Sequence, residues 1–296
     1  MSQIFYAFNS KPMLFLILSI LCSVTVGVIF KVGQKYILNT TQIVAWNYVF
    51  ALLLCYFFYN PDLSAIDTST PWSIYIPLGI LLPTIFLVLA ASIKHMGIVK
   101  TDAAQRLSLF IPIIASLFIF REEFNNLKII GLFVGFPALL LILSKESKNT
   151  NNKWIYPAVV LVGFGAIDIL FKQIALTTSL PFTTSLFIVF GISLILILAV
   201  VLYGIALKKA PFKSRNFLFG ALVGVFNFGN ILFYLKAHQA FAKNPSTVFA
   251  AMNMGVIILG SLTGIFLFKE KLNTKNYVGL LFALVAIVLI TFSQIL

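Results

Sequence analysis

The sequence predicts an all-α membrane protein, on three observations. Of its 296 residues 60% are hydrophobic and only 10% are charged, whereas a soluble domain has about 45–50% apolar and about 25% charged residues. The mean hydropathy is +1.04. Apolar segments of the length that crosses a hydrocarbon core of ~30 Å recur along the whole chain. These segments are continuous, without the alternation of β-barrel strands, so the spans are expected to be helices.

Ten such segments are predicted as transmembrane helices, and the polar connections between them are too short to form a soluble domain. The first segment is longer than the apolar part of a signal peptide and no small-residue cleavage site follows it, so it is expected to be retained. The predicted spans are residues 12–33, 42–59, 73–93, 101–120, 127–144, 155–176, 183–206, 217–237, 246–268 and 275–294.

Two pairs of segments indicate an internal repeat. FIFREEFNNLKIIGLFVGFPALLLIL (118–143) is similar to FLFKEKLNTKNYVGLLFALVAIVLIT (266–291). VIFKVGQKYIL also aligns with ILFKQIALTTS, which superposes Lys31 on Lys172. The chain is therefore predicted to consist of two five-helix repeats, residues 1–146 and 153–296.

Because five is odd, the second repeat is expected to begin on the membrane face where the first one ends, and the two repeats are then inverted. Inverted repeats with a site at the midplane between them are a recurring plan of secondary transporters.

These features resemble the drug/metabolite transporter superfamily, and its ten-helix EamA-like branch is the most similar. The resemblance covers nearly the whole chain. Members commonly have Gly-Glu where this chain has Arg-Glu-Glu (121–123) and Lys-Glu-Lys (269–271). The resemblance implies transport of small metabolites, often export of amino acids or related compounds. It implies no fixed set of binding residues beyond Lys31 and Lys172, which match the lysine late in the first helix of each repeat.

An acid and a base lie four residues apart in the apolar segment GAIDILFKQI (165–174). Asp168 is expected near the midplane, ~18 Å along the helix from Tyr156, and Lys172 shares its helix face. Charged residues this deep usually face a bundle interior or a wet cavity. Two interpretations are open: Asp168 carries a proton or contacts substrate, or it forms a static ion pair with Lys172.

Other polar residues in predicted spans are further candidates for the lining. Arg106 has the planar guanidinium that suits a carboxylate or phosphate, or else it pairs with Asp102. Asn227, Asn230 and Tyr234 share one helix face. Their side chains either face a cavity or form hydrogen bonds with neighbouring helices. Asn253 aligns with Gln105 across the repeat. His95 and His238 are expected to anchor helix ends at the membrane interface.

Several function classes are excluded or disfavoured. The net charge is +13, but the basic residues lie in short loops, as in membrane topology control, and nucleic-acid binding is not expected. No Walker-type loop, HExxH or GxSxG motif is present, and two histidines are too few for a metal centre. We therefore expect neither an enzyme nor a cofactor or metal site.

Loop charge predicts the orientation. Most loop lysines and arginines fall on the face opposite the two termini, which the positive-inside rule places in the cytoplasm. Both termini are then expected outside, whereas the family resemblance favours cytoplasmic termini.

The sequence thus predicts a secondary transporter of a small polar metabolite in the cell (inner) membrane. It is expected to work as an exporter, with membrane lipid and the substrate as partners and protons as the candidate coupling ion. One rival is exchange of anionic compounds such as sugar phosphates; another is a scaffold or lipid-handling protein without transport. The candidate site residues are Lys31, Arg106, Asp168, Lys172, Asn227, Asn230 and Asn253.

Overall fold

The structure is a computed structural model that describes residues 11–33, 36, 38–68, 70–96, 98–142, 153–176, 179–208, 213–269 and 274–293. Every regular element in these ranges is an α-helix, as predicted. The helices are α1 Lys11–Gly33, α2 Thr40–Tyr59, α3 Trp72–Met96, α4 Ile98–Leu107, α5 Phe110–Phe118, α6 Asn126–Ile142, α7 Ile155–Leu176, α8 Phe182–Lys208, α9 Ser214–Ala240, α10 Pro245–Phe268 and α11 Thr274–Phe292.

Within the described residues, seven helices are long and apolar enough to cross a membrane: α1, α2, α3, α7, α8, α9 and α10. The other three predicted spans correspond to shorter apolar stretches, Ala104–Phe118 in α4 and α5, Asn126–Ala138 in α6 and Thr274–Ile290 in α11. The all-helical membrane fold is confirmed with these seven candidate spans, whereas the count of ten spans stays a prediction.

The fourth predicted span is interrupted between α4 and α5, and Pro112 explains why. Proline has no N–H for the carbonyl four residues earlier, that of Ser108, and its ring crowds that carbonyl. The chain tightens there, and the Ser108 carbonyl accepts from the amide of Ile111 at 3.0 Å instead. The Ser108 hydroxyl also donates to the Gln105 carbonyl at 2.6 Å. The break begins at Ser108, two residues after Arg106.

The packing partners identify α9 as a central helix. It packs against α1 and α2, while α3 packs against α7 and α8, and α6 packs along α11. The approach of α9 to α2 is close because a Cβ on Gly224 would lie 2.8 Å from the carbonyl oxygen of Asn47. Gly220 faces the backbone of α2 in the same way, so the segment GALVG (220–224) is a small-residue contact of the type that membrane helices use.

Contacts between helix termini define two ends of the bundle. The loops α5–α6 and α9–α10 meet at one end, because Glu122 accepts a hydrogen bond from the backbone of Ser246; we call this the α9–α10 end. At the opposite end, α2 and α9 begin side by side, and Asn39 donates its backbone N–H to Oδ1 of Asn216. The side chain of Asn39 also caps α2, accepting from the amides of Thr41 and Gln42.

Candidate functional site

Four polar side chains follow one face of the central helix α9. They are Asn227, Asn230, Tyr234 and His238, at intervals of three or four residues, and together they cover ~16 Å of the helix axis. We call them the α9 ladder. The first three were predicted to share a face, and each of the four side chains contacts a different neighbouring helix. Because His238 lies in the last turn of α9 and Asn227 lies at its middle, the ladder runs from the α9–α10 end to the middle of the bundle.

Asp168 joins the ladder through Tyr234, whose hydroxyl donates a 2.8 Å hydrogen bond to Oδ1 of Asp168. Of the two interpretations left open, the static ion pair between Asp168 and Lys172 is wrong. Among the residues that the structure describes, no basic side chain lies within ion-pair distance of Asp168. Asp168 is half-buried, so it is a carboxylate inside the bundle whose recorded hydrogen-bond partner is a neutral phenol.

Lys172 is completely buried and binds backbone instead of carboxylate. Its Nζ donates to the carbonyl of His238 at 3.1 Å and to that of Ala242 at 3.0 Å. The last carbonyls of a helix have no partner within the helix, and a cation there is also favoured by the helix dipole. Lys172 therefore caps the C-terminus of α9, which explains why it turns away from Asp168.

His238 does not anchor the membrane interface, so that prediction is wrong. Its side chain is fully buried, with its ring centroid 4.6 Å from that of Tyr234 and 4.8 Å from that of Phe249. Within the part of the chain that the structure describes, neither ring nitrogen has a hydrogen-bond partner. His95, in contrast, is half-buried near the end of α3 and stacks on Tyr156 at 5.0 Å.

The two asparagines of the ladder bond to neighbouring helices. Nδ2 of Asn227 donates to Oδ1 of Asn47 in α2 at 3.1 Å. Oδ1 of Asn230 accepts from the hydroxyl of Ser19 in α1 at 2.8 Å. Both bonds join helices of the two predicted repeats, an arrangement that stabilises helix packing in membranes.

The other three candidates are not brought to Asp168 by any recorded contact. Asn253 donates within α10 to the carbonyl of Phe249. Lys31 lies in the last turn of α1, its Nζ 4.2 Å from the ring centroid of Phe268 at the end of α10. Arg106 is half-buried in the last turn of α4, and its expected partner, the Asp102 side chain, lies outside the described residues.

The sequence reasoning missed a buried polar cluster at the α9–α10 end. Neither Glu122 nor Lys128 is among the sequence candidates, but both are buried and their Oε1 and Nζ atoms lie 2.7 Å apart. Glu122 also accepts from the backbone N–H of Ser246 at 2.9 Å and from its hydroxyl at 2.7 Å. Nζ of Lys128 donates to Oδ1 of Asn244 as well, at 3.1 Å. The repeated glutamate of the 118–143 and 266–291 match was the available signal.

A cavity of about 160 Å³ lies at the opposite end, between the start of α2 and the end of α8. None of the candidate site residues lines it. Its lining is Asn39, Thr41, Gln42, Val200, Val201, Tyr203 and Gly204.

Comparisons with known proteins agree with this architecture. Residues 10–144 match the EamA-like transporter family. An uncharacterized protein of Haemophilus influenzae is 41% identical over 282 residues, which are 92% of this chain and 95% of that protein. A solved crystal structure aligns with this chain with a TM-score of 0.73, over 96% of this chain and 97% of the solved chain. Because the two sequences are only 11% identical, this likeness shows the fold alone. The sequence match thus places residues 10–144 of the chain in the EamA-like transporter family, whose members are integral membrane proteins and not enzymes.

Proposed function

We propose that the protein is a secondary transporter of a small polar metabolite, working as an exporter and coupled to protons, in which Asp168 binds the proton or a cationic group of the substrate. The observation that carries this proposal is the position of Asp168: half-buried inside the bundle, bonded to Tyr234 and without a basic partner among the described side chains. A charge in the membrane interior is costly unless it is compensated. A proton or a substrate ammonium group compensates it.

Packing supports two inverted repeats. The pairs α1–α9 and α2–α9 correspond to α7–α3 and α8–α3 when the predicted repeats are exchanged, and the pairs α2–α8 and α6–α11 correspond to themselves. A structure of two equivalent halves has two packings of similar energy, with opposite ends open, as alternating access requires.

Burial along the helices supports a cleft that is open at one end. All residues from Pro245 to Met252, at the α9–α10 end of α10, are buried. In α1, residues 21–32 contain no buried residue as the helix runs to the opposite end, and a Cβ on Gly27 would have no atom within 4 Å. At the opposite end the starts of α2 and α9 are buried, so the loose packing is limited to α1. An opening along α1 at that end suits a transporter in one of its two end states.

The sugar-phosphate alternative has less support. Lys172, one of the cations that it needs, is fully buried and already donates to two carbonyls. The scaffold alternative also has less support, because the family is one of transporters.

The test is uptake into proteoliposomes that contain the purified protein. Radiolabelled amino acids and sugar phosphates are screened with and without a pH gradient, beside Asp168→Asn. The matched control is Asp62→Asn, which changes an exposed acid in the loop between α2 and α3. Gradient-driven amino-acid flux that is lost in Asp168→Asn and kept in Asp62→Asn supports the proposal. Flux with the same pH dependence in Asp168→Asn refutes the role of Asp168, and exchange of sugar phosphates without a gradient favours the rival.

A further inference from the structure

The loop between α9 and α10 is held by charged side chains from outside this helix pair. At its start, Lys172 of α7 donates to the carbonyls of His238 and Ala242. At its end, Glu122 from the α5–α6 loop accepts from Ser246. Each charge has the sign that its helix end favours, positive at the C-terminus of α9 and negative at the N-terminus of α10.

Glu122 takes the place of the usual capping residue of α10. Asn244, at the N-cap position, belongs to a residue type that normally caps a helix through its own side chain, but it makes no such bond here. Its Oδ1 accepts from Lys128 instead, at 3.1 Å. The backbone N–H of Ser246 instead donates its hydrogen bond to Glu122, which belongs to the other predicted repeat.

This arrangement has a mechanical consequence. Glu122 and Lys128 belong to the first predicted repeat, and Asn244 and Ser246 belong to the second, so these bonds cross the line along which the repeats would separate. All four polar groups are buried or partly buried, where bonds to a charged group are strong and an unmade bond is costly. The bonds hold the α9–α10 end closed.

We propose that the contact between Glu122 and Ser246 is the gate of the α9–α10 end, and that its release opens this end of the cleft. When Glu122 withdraws with the first repeat, Asn244 is released from Lys128 and caps α10 itself. The N-terminus of α10 then keeps a capping partner in both states, which lowers the energy of the open one. This inference rests on the alternating access of the proposed function.

The test measures accessibility rather than flux. Cys22 in α1 is a half-buried free thiol. It faces α9, because a Cβ placed on Gly229 of α9 would lie 3.1 Å from the Sγ of Cys22. With Cys55→Ala as background, Cys22 is labelled with a membrane-impermeant maleimide from each side of right-side-out and inverted vesicles. The α9–α10 end is identified by a tag at the N-terminus, because α1 begins at that end.

Glu122→Gln and Ser246→Ala are compared with the unmodified background. Ser246→Ala removes one donor and leaves the pair of Glu122 with Lys128 intact. The control is Glu123→Gln, which neutralises the exposed neighbouring acid. We expect Glu122→Gln to raise the labelling rate from the α9–α10 side about tenfold, the effect of losing a strong bond in one state, and to lower it from the opposite side. Ser246→Ala is expected to change both rates in the same directions by less.

Unchanged rates from both sides would overturn the gate, and so would equal increases from both sides, which indicate a loosened protein. The two proposals fail separately. Proton-driven flux in the unmodified protein, with labelling rates that Glu122→Gln leaves unchanged, refutes the gate alone. The expected changes in labelling rate, in a protein that transports none of the tested compounds, refute the transport function alone.

Discussion

The hydroxyl of Tyr234 in α9 and Oδ1 of Asp168 in α7 are 2.8 Å apart. This bond is the link between the α9 ladder and the half-buried acid. A phenol donates to the carboxylate without neutralising it, so Asp168 is oriented but its charge stays available. That relationship suits a binding group better than a structural ion pair.

Tyr234→Phe is expected to weaken substrate binding while the fold persists. It removes a hydrogen bond to a charged group, worth about 1.5–3 kcal/mol, so KM should rise about tenfold or more with a smaller change in maximal rate. The measurement is concentration-dependent uptake into proteoliposomes. The control is Tyr277→Phe, at an exposed position in α11; equal kinetics for the two variants would contradict the role of Tyr234.

Lys172→Met is expected to lower the melting temperature by several degrees. The carbonyls of His238 and Ala242 lose their donor, and a buried group left unsatisfied costs about 1–3 kcal/mol. The repeat counterpart, Lys31→Met, loses a contact with the Phe268 ring, of a kind worth about 0.5–1 kcal/mol at exposed sites. Thermal unfolding of the purified protein in detergent ranks the two, and a smaller effect for Lys172→Met would count against the cap.

Asn47 and Asn227 are expected to be coupled energetically. In a double-mutant cycle with Asn47→Ala and Asn227→Ala, the interaction free energy should be about 0.6 kcal/mol and at most about 1.7 kcal/mol, the range for hydrogen bonds between membrane helices. The free energies come from reversible unfolding in mixed micelles. Strictly additive effects would mean that the 3.1 Å contact contributes nothing.

Gly224→Ala and Gly260→Ala are expected to have opposite effects on stability. A Cβ at position 224 would lie 2.8 Å from the Asn47 carbonyl oxygen, so α9 and α2 must separate, whereas one at position 260 would have no atom within 4 Å. Alanine in an open helical position stabilises by roughly 0.5–1 kcal/mol. Melting temperatures should fall for the first variant and rise for the second. A fall of similar size for both would show that close α2–α9 contact is not the cause.

The membrane class and the approximate positions of the helices follow from local properties of the chain. A lipid-embedded backbone must satisfy its own hydrogen bonds, so each apolar segment of sufficient length becomes a helix whatever its neighbours are. The predicted span 155–176 has the same bounds as α7. The shared face of Asn227, Asn230 and Tyr234 also follows from local geometry, because it needs only the helical period.

The partners of the charged groups, in contrast, depend on how distant parts of the chain pack together. The spacing of Asp168 and Lys172 allows an ion pair, but the unsatisfied carbonyls at the end of α9 lie within reach of Lys172 and accept hydrogen bonds from its Nζ. Glu122 and Ser246 are 124 residues apart in sequence, so no local pattern relates them. At low local dielectric an unpaired buried polar group is costly, and which partners can reach it depends on how the helices pack.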